Sequence, residues 1–276
     1  EGTLQLQITS LDYSKYTGRI AIGRLFRGDL NANKDYALCT DDGVRKVRVK
    51  ELFLFEGLGR NKVDHVRSGD LCAITGMEGF EIGDTVSDLE TPEPMERIAV
   101  DEPTMSLLFT INTSPFLGKD GEFLTSRHIR ERLDAELQRN LALRVEPTDS
   151  EDKWNVYGRG ILHLSVLIET MRREGYEVMV SMPRVIIHET DAGKEEPYEE
   201  VTIDCGDEFS GAVIQDLNER GGELTDMRSD GETVRLEFKM PSRGLIGYRS
   251  RFLTQTRGTG TLYKTYCGYG PYKGEF

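Results

Sequence analysis

The sequence is poor in the residues that build metal centres, disulfide frameworks and membrane spans. It has 4 cysteines and 4 histidines in 276 residues, and neither C-x-x-C nor H-E-x-x-H occurs. Because zinc ligands come in closely spaced pairs, this spacing argues against a metal site. Scattered cysteines predict reduced thiols in the core of a cytoplasmic protein. No apolar run approaches the ~20 residues of a membrane helix, so we expect no membrane association. The cysteines are Cys39, Cys72, Cys205 and Cys267.

Motifs of nucleotide-dependent and hydrolytic enzymes are also missing. Gly118-Lys119 lacks the upstream glycine and the following hydroxyl residue of a phosphate-binding loop, and no dinucleotide fingerprint or G-x-S-x-G is complete. Carboxylates between Glu195 and Glu200 flank Pro197, which favours a solvated linker over acid–base chemistry. Catalytic groups can assemble from distant positions without a local motif. On this sequence we predict no catalytic residue and no cofactor within the chain.

An initiator methionine and a signal peptide are absent as well. The chain opens as a strand-like segment, EGTLQLQITS, without a basic n-region or an apolar h-region. It ends as abruptly, with YGPYKGEF. We therefore expect these residues to be a piece of a longer protein.

Three stretches with different patterns make up the chain. Residues 1–97 contain short apolar and β-branched runs separated by turns rich in glycine and aspartate, which predicts an all-β barrel. Prolines among acidic residues mark a linker around positions 92–103. Residues 104–187 follow the order β-α-β-β-α-β, which predicts an α+β ferredoxin-like sandwich of the split-βαβ type. Thr125 or Ser126 is expected to cap its first helix.

The same order returns in residues 197–276. The second helix of each sandwich starts alike, at Gly158-Arg159-Gly160-Ile161 and at Ser242-Arg243-Gly244-Leu245. We therefore predict a multi-domain chain: a barrel, two ferredoxin-like sandwiches in tandem, and the start of a further C-terminal region. In a helix predicted over 245–255, Leu245, Tyr248 and Phe252 share the face that covers the sheet.

Positive charge is scarce overall but collects near the C-terminus. The chain has 35 lysines and arginines against 48 aspartates and glutamates, a net charge of −13. Residues 242–276 hold six basic residues and one acidic residue, whereas residues 191–241 hold five and fifteen. Such a segment suits a polyanion, but its arginines could equally pair with the acidic stretch before it. The candidate RNA-binding residues here are Arg243, Arg249, Arg251, Arg257, Lys264 and Tyr263.

A smaller group of basic residues lies in the predicted barrel. Residues 45–67 contain seven basic and three acidic side chains. Lys46 and Arg48 are the candidate phosphate contacts in this group. A mixed charged surface is the alternative interpretation.

Several strings resemble the BipA (TypA) family of translational GTPases. They are DEPTMSLLFTINTSPFLGKDGEFLTSRHIRERL, GRGILHLSVLIETMRREGYEVMVSMPRVI and MPSRGLIGYRSRFLTQTRGTG, with YTGRIAIGRLFRG and SGDLCAITGMEGFEIGDTVSD in the barrel region. The resemblance extends over essentially the whole chain. One position departs from it, because Ile161 stands where the family often has glutamate in G-R-G-E-L-H-L.

The resemblance implies a β-barrel second domain and two sandwiches that correspond to the third and fifth domains of elongation factor G. A GTPase domain would precede this region, so that GTP and Mg²⁺ would bind outside it. The implied partners are the ribosome, its RNA and ribosomal proteins near the factor-binding site, with roles in stress adaptation and ribosome assembly. We expect a cytoplasmic, ribosome-associated monomer.

The sequence is open to two other interpretations. The chain could be the equivalent arm of elongation factor G or LepA, which share the architecture. From a different class, tandem sandwiches could be small-molecule-sensing domains of a metabolic enzyme, with glycine-rich loops as the effector site.

Overall fold

The N-terminal region consists of β-strands throughout. The computed structural model describes residues 2–276. Its first ten strands are β1 (Gln5–Ser14), β2 (Gly18–Arg27), β3 (Asp29–Asn31), β4 (Lys34–Thr40), β5 (Gly43–Val49), β6 (Leu52–Glu56), β7 (Gly59–Val63), β8 (His65–Arg67), β9 (Leu71–Ile74) and β10 (Thr85–Ser87). Eight of them form a sheet of order β5-β4-β10-β1-β2-β9-β6-β7, while β3 pairs with β8.

Alternation along these strands explains how the sheet buries one face. Leu6 and Ile8 in β1 and Leu25 in β2 are fully buried, together with Phe80 from a loop. Neighbouring strands pair antiparallel, with bulges in the β1–β2 ladder. Within residues 2–276 the pairing forms an open series that ends at β5 and β7.

The proline-rich segment after β10 is hydrogen-bonded to the sheet along much of its length. Gln5 and Gln7 donate from their side-chain amides to the carbonyls of Glu93 (3.0 Å) and Glu96 (2.6 Å). The Thr85 hydroxyl accepts from Met95 N–H at 2.9 Å. The predicted linker is therefore irregular in conformation, and hydrogen bonds hold it to the sheet as far as Glu96.

The middle region supplies two helices and five strands. They are β11 (Met105–Ile111), α1 (Ser126–Arg139), β12 (Arg144–Pro147), β13 (Lys153–Gly158), α2 (Ile161–Arg173), β14 (Val178–Val180) and β15 (Arg184–Val185). Thr125 is the N-cap of α1, because its hydroxyl accepts from His128 N–H at 3.3 Å. β11 pairs antiparallel with β13, from Met105–Gly158 to Thr110–Lys153, and with β15.

The C-terminal region repeats strand, helix, hairpin, helix and strand. Its elements are β16 (His188–Thr190), β17 (Gly193–Gly206), α3 (Asp207–Glu219), β18 (Glu223–Ser229), β19 (Thr233–Pro241), a 3-10 helix (Ser242–Leu245), α4 (Tyr248–Gln255) and β20 (Thr261–Pro271). The strand order is β20-β17-β19-β18, with β16 in a hairpin on β17. All these pairings are antiparallel.

The helix predicted over 245–255 is wrong at its start. Gly247 has a φ of 74°, a left-handed conformation that glycine adopts without a side-chain clash, and it separates the 3-10 helix from α4. The predicted core face is confirmed, because Leu245, Tyr248 and Phe252 are buried against the sheet side chains. The 3-10 helix therefore contributes to the core although the helix is interrupted.

The chain forms two compact units. One contains Glu1–Glu102, Ile111–Glu146 and Met171–Val178, and the other contains Pro103–Thr110, Pro147–Thr170 and Met179–Phe276. Each unit contains part of the predicted middle domain. The predicted bounds of 1–97, 104–187 and 197–276 therefore stay a prediction.

Candidate nucleic-acid interface

The six basic side chains of residues 242–276 differ in what holds them. One is directed into the fold, two pair with carboxylates at the surface, and one donates to a backbone carbonyl. The remaining two have no ion pair within the part of the chain that the structure describes. Arg243 is directed into the fold, Arg251 and Lys264 pair with carboxylates, and Lys273 donates to a carbonyl. The two without an ion pair in that part of the chain are Arg249 and Arg257.

Arg243 lies against the C-terminal residues of the chain. Its guanidinium donates through Nε and Nη2 to the carboxylate of Glu196, whose side chain is 0% exposed, and through Nη2 to the Gly274 carbonyl. The rings of Tyr272 and Phe276 lie 4.6 Å and 3.9 Å from its central carbon. Glu196 also accepts from Lys273 N–H at 2.9 Å. Arg243 thus fixes residues 272–276 to the sheet.

Arg251 and Lys264 are paired but reach the surface. Arg251 donates twice to Asp216 on α3, at 2.6 Å from Nε and 2.6 Å from Nη2, and Gln255 also donates to that carboxylate. The pair with Asp216 raises the pKa of the guanidinium further above its usual range. Lys264 Nζ lies 3.0 Å from Glu199 on β17. Arg251, Lys264 and Arg243 therefore pair with carboxylates of the preceding acidic stretch, which was the alternative to binding a polyanion.

Arg249 and Arg257 remain available to a polyanion. Both are exposed, and no carboxylate lies within ion-pair distance of either among residues 2–276. Arg257 adopts a φ of 52°, and the central carbon of its guanidinium lies 5.7 Å from the centre of the Phe209 ring. Arg249 follows Tyr248 on α4, whose buried ring directs the arginine away from the core. These two residues are the free cations of the candidate surface.

Tyr263 lies on the face of the sheet opposite the helices. It pairs in register with Thr202, one position from the Ile203–Leu262 pair that points into the core. Its side chain is 67% exposed. An exposed ring at this position has the geometry of a stacking platform for a nucleic-acid base.

Lys46 and Arg48 share one carboxylate on the N-terminal sheet. Lys46 Nζ lies 2.8 Å from Asp35 Oδ2, and Arg48 Nη1 lies 3.2 Å from Asp35 Oδ1. The hydrogen bond from Lys46 is the largest influence that lowers the pKa of Asp35. Both cations are more than half exposed, so this group has one more positive than negative charge.

A buried carboxylate in the middle region was not predicted from the sequence. Glu177 accepts from the backbone N–H groups of Gly118 (2.9 Å), Asp120 (3.0 Å) and Gly121 (2.8 Å), and from the Asn112 amide (2.9 Å). These bonds, that from Gly118 foremost, lower the pKa of Glu177 to about 2. No local signal could have found it, because the donors lie 56 to 65 positions earlier.

This arrangement also decides against a phosphate site at Gly118-Lys119. A phosphate-binding loop offers free backbone N–H groups to the anion. Here three of those groups already bind the Glu177 carboxylate. Among the described residues, no group of three or more His, Cys, Asp or Glu side chains could hold a metal ion. The Gly118-Lys119 loop therefore lacks the free N–H groups that a nucleotide phosphate would need.

Two further findings concern the cysteines and the membrane. Cys39, Cys72 and Cys205 are buried as expected, and burial raises the pKa of Cys72 to about 12. The expectation is wrong for Cys267, which is exposed at a bulge of β20. In residues 2–276, none of the helices has the length and apolar character needed to cross a bilayer.

Two family descriptions match separate parts of the chain. "Elongation factor Tu domain 2" matches residues 18–87, and "Elongation factor G C-terminus" matches residues 194–276. The crystal structure of ttk003000868 from Thermus thermophilus is similar in fold, with a TM-score of 0.59 and 16% sequence identity over 99% of this chain and 56% of that one.

Curated relatives match the chain along nearly its whole length. The Escherichia coli K12 protein named "Large ribosomal subunit assembly factor BipA" is 49% identical over 98% of this chain. The Bacillus subtilis 168 protein of the same name is 48% identical over 98% of it. The chain spans 45% of the length of each of these relatives. Together with the matches to two translation-factor domains, this identity shows that the chain is homologous to a part of these BipA proteins.

Proposed function

We propose that this chain is the non-catalytic, ribosome-binding part of a BipA-type GTPase that acts in ribosome assembly and stress adaptation. The observation that carries the proposal is the 49% identity with a large-subunit assembly factor over 98% of the chain. GTP hydrolysis with Mg²⁺ would belong to a domain outside these residues, because the chain spans 45% of the length of that relative. The protein would act in the cytoplasm as a ribosome-associated monomer.

We further propose that the domains take the forms expected from the sequence. A translation-factor barrel is supported by the eight-stranded antiparallel sheet in the region matched to elongation factor Tu domain 2. A ferredoxin-like sandwich at 197–276 is supported by the strand order β20-β17-β19-β18 with α3 and α4 packed against the sheet. For 104–187 the support is the order of elements, β-α-β-β-α-β.

The proposed RNA contact centres on Arg249 and Arg257. They are exposed cations without ion pairs among the described residues, and a phosphate gains most from a cation that is not already neutralised. Arg251 and Lys264 would flank the contact, Tyr263 would stack on a base at the opposite face of the sheet, and Lys46 and Arg48 would contribute from the barrel toward the small subunit. Arg243 supports this surface by fixing the end of the chain, because its guanidinium is bound to Glu196.

Co-sedimentation of the full-length protein with ribosomes over a salt series tests the proposal. Each phosphate contact contributes about 0.7–0.9 to the slope of log affinity against log salt. Substituting both Arg249→Gln and Arg257→Gln should therefore flatten the slope by about 1.4–1.8. The matched control is Arg228→Gln, which removes an arginine on β18 that pairs with Asp226 at 2.7 Å.

Two results would overturn the proposal in different ways. An unchanged slope in the double variant would remove Arg249 and Arg257 from the interface while leaving ribosome binding intact. Absence of binding by the unmodified protein at every salt concentration would instead reject the ribosomal function and favour a small-molecule sensor.

A further inference from the structure

The loop between β11 and α1 is ordered around one buried side chain. Both carboxylate oxygens of Glu177 accept two hydrogen bonds each from Asn112–Gly121, at 2.8 to 3.0 Å. The Glu177 residue is 8% exposed. Charge-assisted bonds to an anion are stronger than bonds between neutral groups, so this carboxylate restrains both ends of the loop.

Turns inside the loop restrain it further. Ser114 N–H donates to the Asn112 side chain at 3.0 Å, and Leu117 N–H and Lys119 N–H donate to earlier carbonyls at 3.1 Å each. Gly118 has a φ of 75°, which favours glycine at this turn. The loop is therefore preformed, and a partner would not have to order its backbone on binding.

What this ordered loop presents to solvent is apolar. Phe116 is 63% exposed and Leu117 is 48% exposed, next to each other at the tip. Lys119 Nζ lies 5.1 Å from the centre of the Phe116 ring. A rigid aromatic–aliphatic pair is the kind of anchor that fills a pocket at the centre of an interface.

The charges beside the tip indicate the kind of pocket. Asp120 and Glu122 are exposed next to Lys119, so positions 119–122, which form the rim beside the tip, have a net charge of −1. RNA phosphates would be repelled by this rim, whereas an apolar pocket on a protein would accept the two side chains. The observations thus favour a protein over a nucleic acid as the partner.

We propose that loop Asn112–Gly121 is a docking loop that inserts Phe116 and Leu117 into an apolar pocket of a ribosomal protein, with Glu177 as its positioning residue. This inference rests on the proposed ribosomal function. It differs from the Arg249 and Arg257 contact in chemistry, because burial of apolar surface does not depend on counterion release. The loop therefore sets affinity without changing the salt slope.

The first test uses the full-length protein carrying both Phe116→Ser and Leu117→Ser, pelleted with ribosomes over the salt series. We expect binding about tenfold weaker or more at every salt concentration, with the slope unchanged. Leu58→Ser is the matched control, because Leu58 is a fully exposed leucine at another turn. Unaltered binding by the double variant would overturn the docking loop but not the proposed function. Absence of binding by the unmodified protein would overturn both the docking loop and the proposed ribosomal function.

Photo-crosslinking identifies the partner's chemical class. A benzoylphenylalanine at position 116 should give a ribosome adduct that survives ribonuclease and is digested by protease. An adduct degraded by ribonuclease, or no adduct although the protein pellets, would reject the protein pocket.

Glu177→Gln separates positioning from contact. The amide offers one acceptor oxygen in place of two, so the N–H groups of Asp120 and Gly121 should exchange faster and binding should weaken about threefold or more. In the background of Phe116→Ser and Leu117→Ser the same change should cost nothing further, because Glu177 acts through the tip. Faster exchange with unchanged binding would overturn the positioning role, and the tip variants remain informative if Glu177→Gln fails to fold.

Discussion

Replacing Arg243 by methionine tests whether this arginine of residues 242–276 has a structural role or an RNA-binding role. Methionine has a similar length but cannot donate to the Glu196 carboxylate, whose side chain is 0% exposed. Among the described residues, the donor that remains to this carboxylate is the Lys273 N–H group. Removing one partner of a buried ion pair costs about 3–5 kcal/mol, because the other charge stays buried. We expect a loss of this size in the stability of the C-terminal region.

Hydrogen exchange measured by mass spectrometry localises that loss. Exchange through local opening accelerates tenfold for about each 1.4 kcal/mol. Peptides from β17 and β20 should therefore exchange about 100-fold faster or more, while peptides from β11 should be unaffected. Adding Glu196→Gln should restore most of the protection, because the buried charge is then absent.

The control is Arg249→Met, which removes an exposed arginine and should alter stability by less than about 0.5 kcal/mol. One outcome would refute the reasoning. If Arg243→Met exchanges like the unmodified protein but binds ribosomes more weakly, Arg243 contacts the ribosome directly and its pairing with Glu196 is incidental.

Three other predictions address single groups. Glu177 has a folded-state pKa lowered from 4.5 to about 2, so its stabilisation is complete above pH 4.5 and should be lost as the pH falls through that interval. Urea unfolding over this range should show the loss, and Glu177→Gln should abolish this contribution. Phe252→Ala should cost about 3–5 kcal/mol in the same assay, because the ring is fully buried, against less than about 0.5 for exposed Leu253→Ala. A thiol reagent should modify Cys267 alone in the folded chain and all 4 cysteines in urea.

Local patterns predicted the elements of this chain well. The apolar positions of α1 and α2 recur at helical spacing, and Ile129, Leu133, Leu164 and Met171 are buried as that spacing requires. The repeated order of elements in residues 197–276 predicted β18 and β19 as consecutive strands. Gly247 was a signal that the second helix of the last region is interrupted, since its left-handed φ and the extended backbone of Ile246 separate the two helical pieces.

Long-range pairing is what the sequence could not resolve. Arg243 and Glu196 are 47 positions apart, and Arg251 and Asp216 are 35 apart. Charge balance showed that a basic segment follows an acidic one, but it could not decide which cations are neutralised. That depended on the register of β17 with β20 and on the packing of α3 beside α4. The same holds for Glu177, because three of its four donors are backbone N–H groups, which leave no pattern in the sequence.

The left-handed backbone of Arg257 gives this surface an unusual experimental property. An arginine in that conformation is strained by about 1 kcal/mol relative to glycine, so Arg257→Gly should leave the stability of the fold unchanged or raise it. If the guanidinium binds RNA, the same substitution weakens ribosome association. Stability would then stay the same or rise while affinity falls, so that unfolding of the protein could not explain the weaker complex.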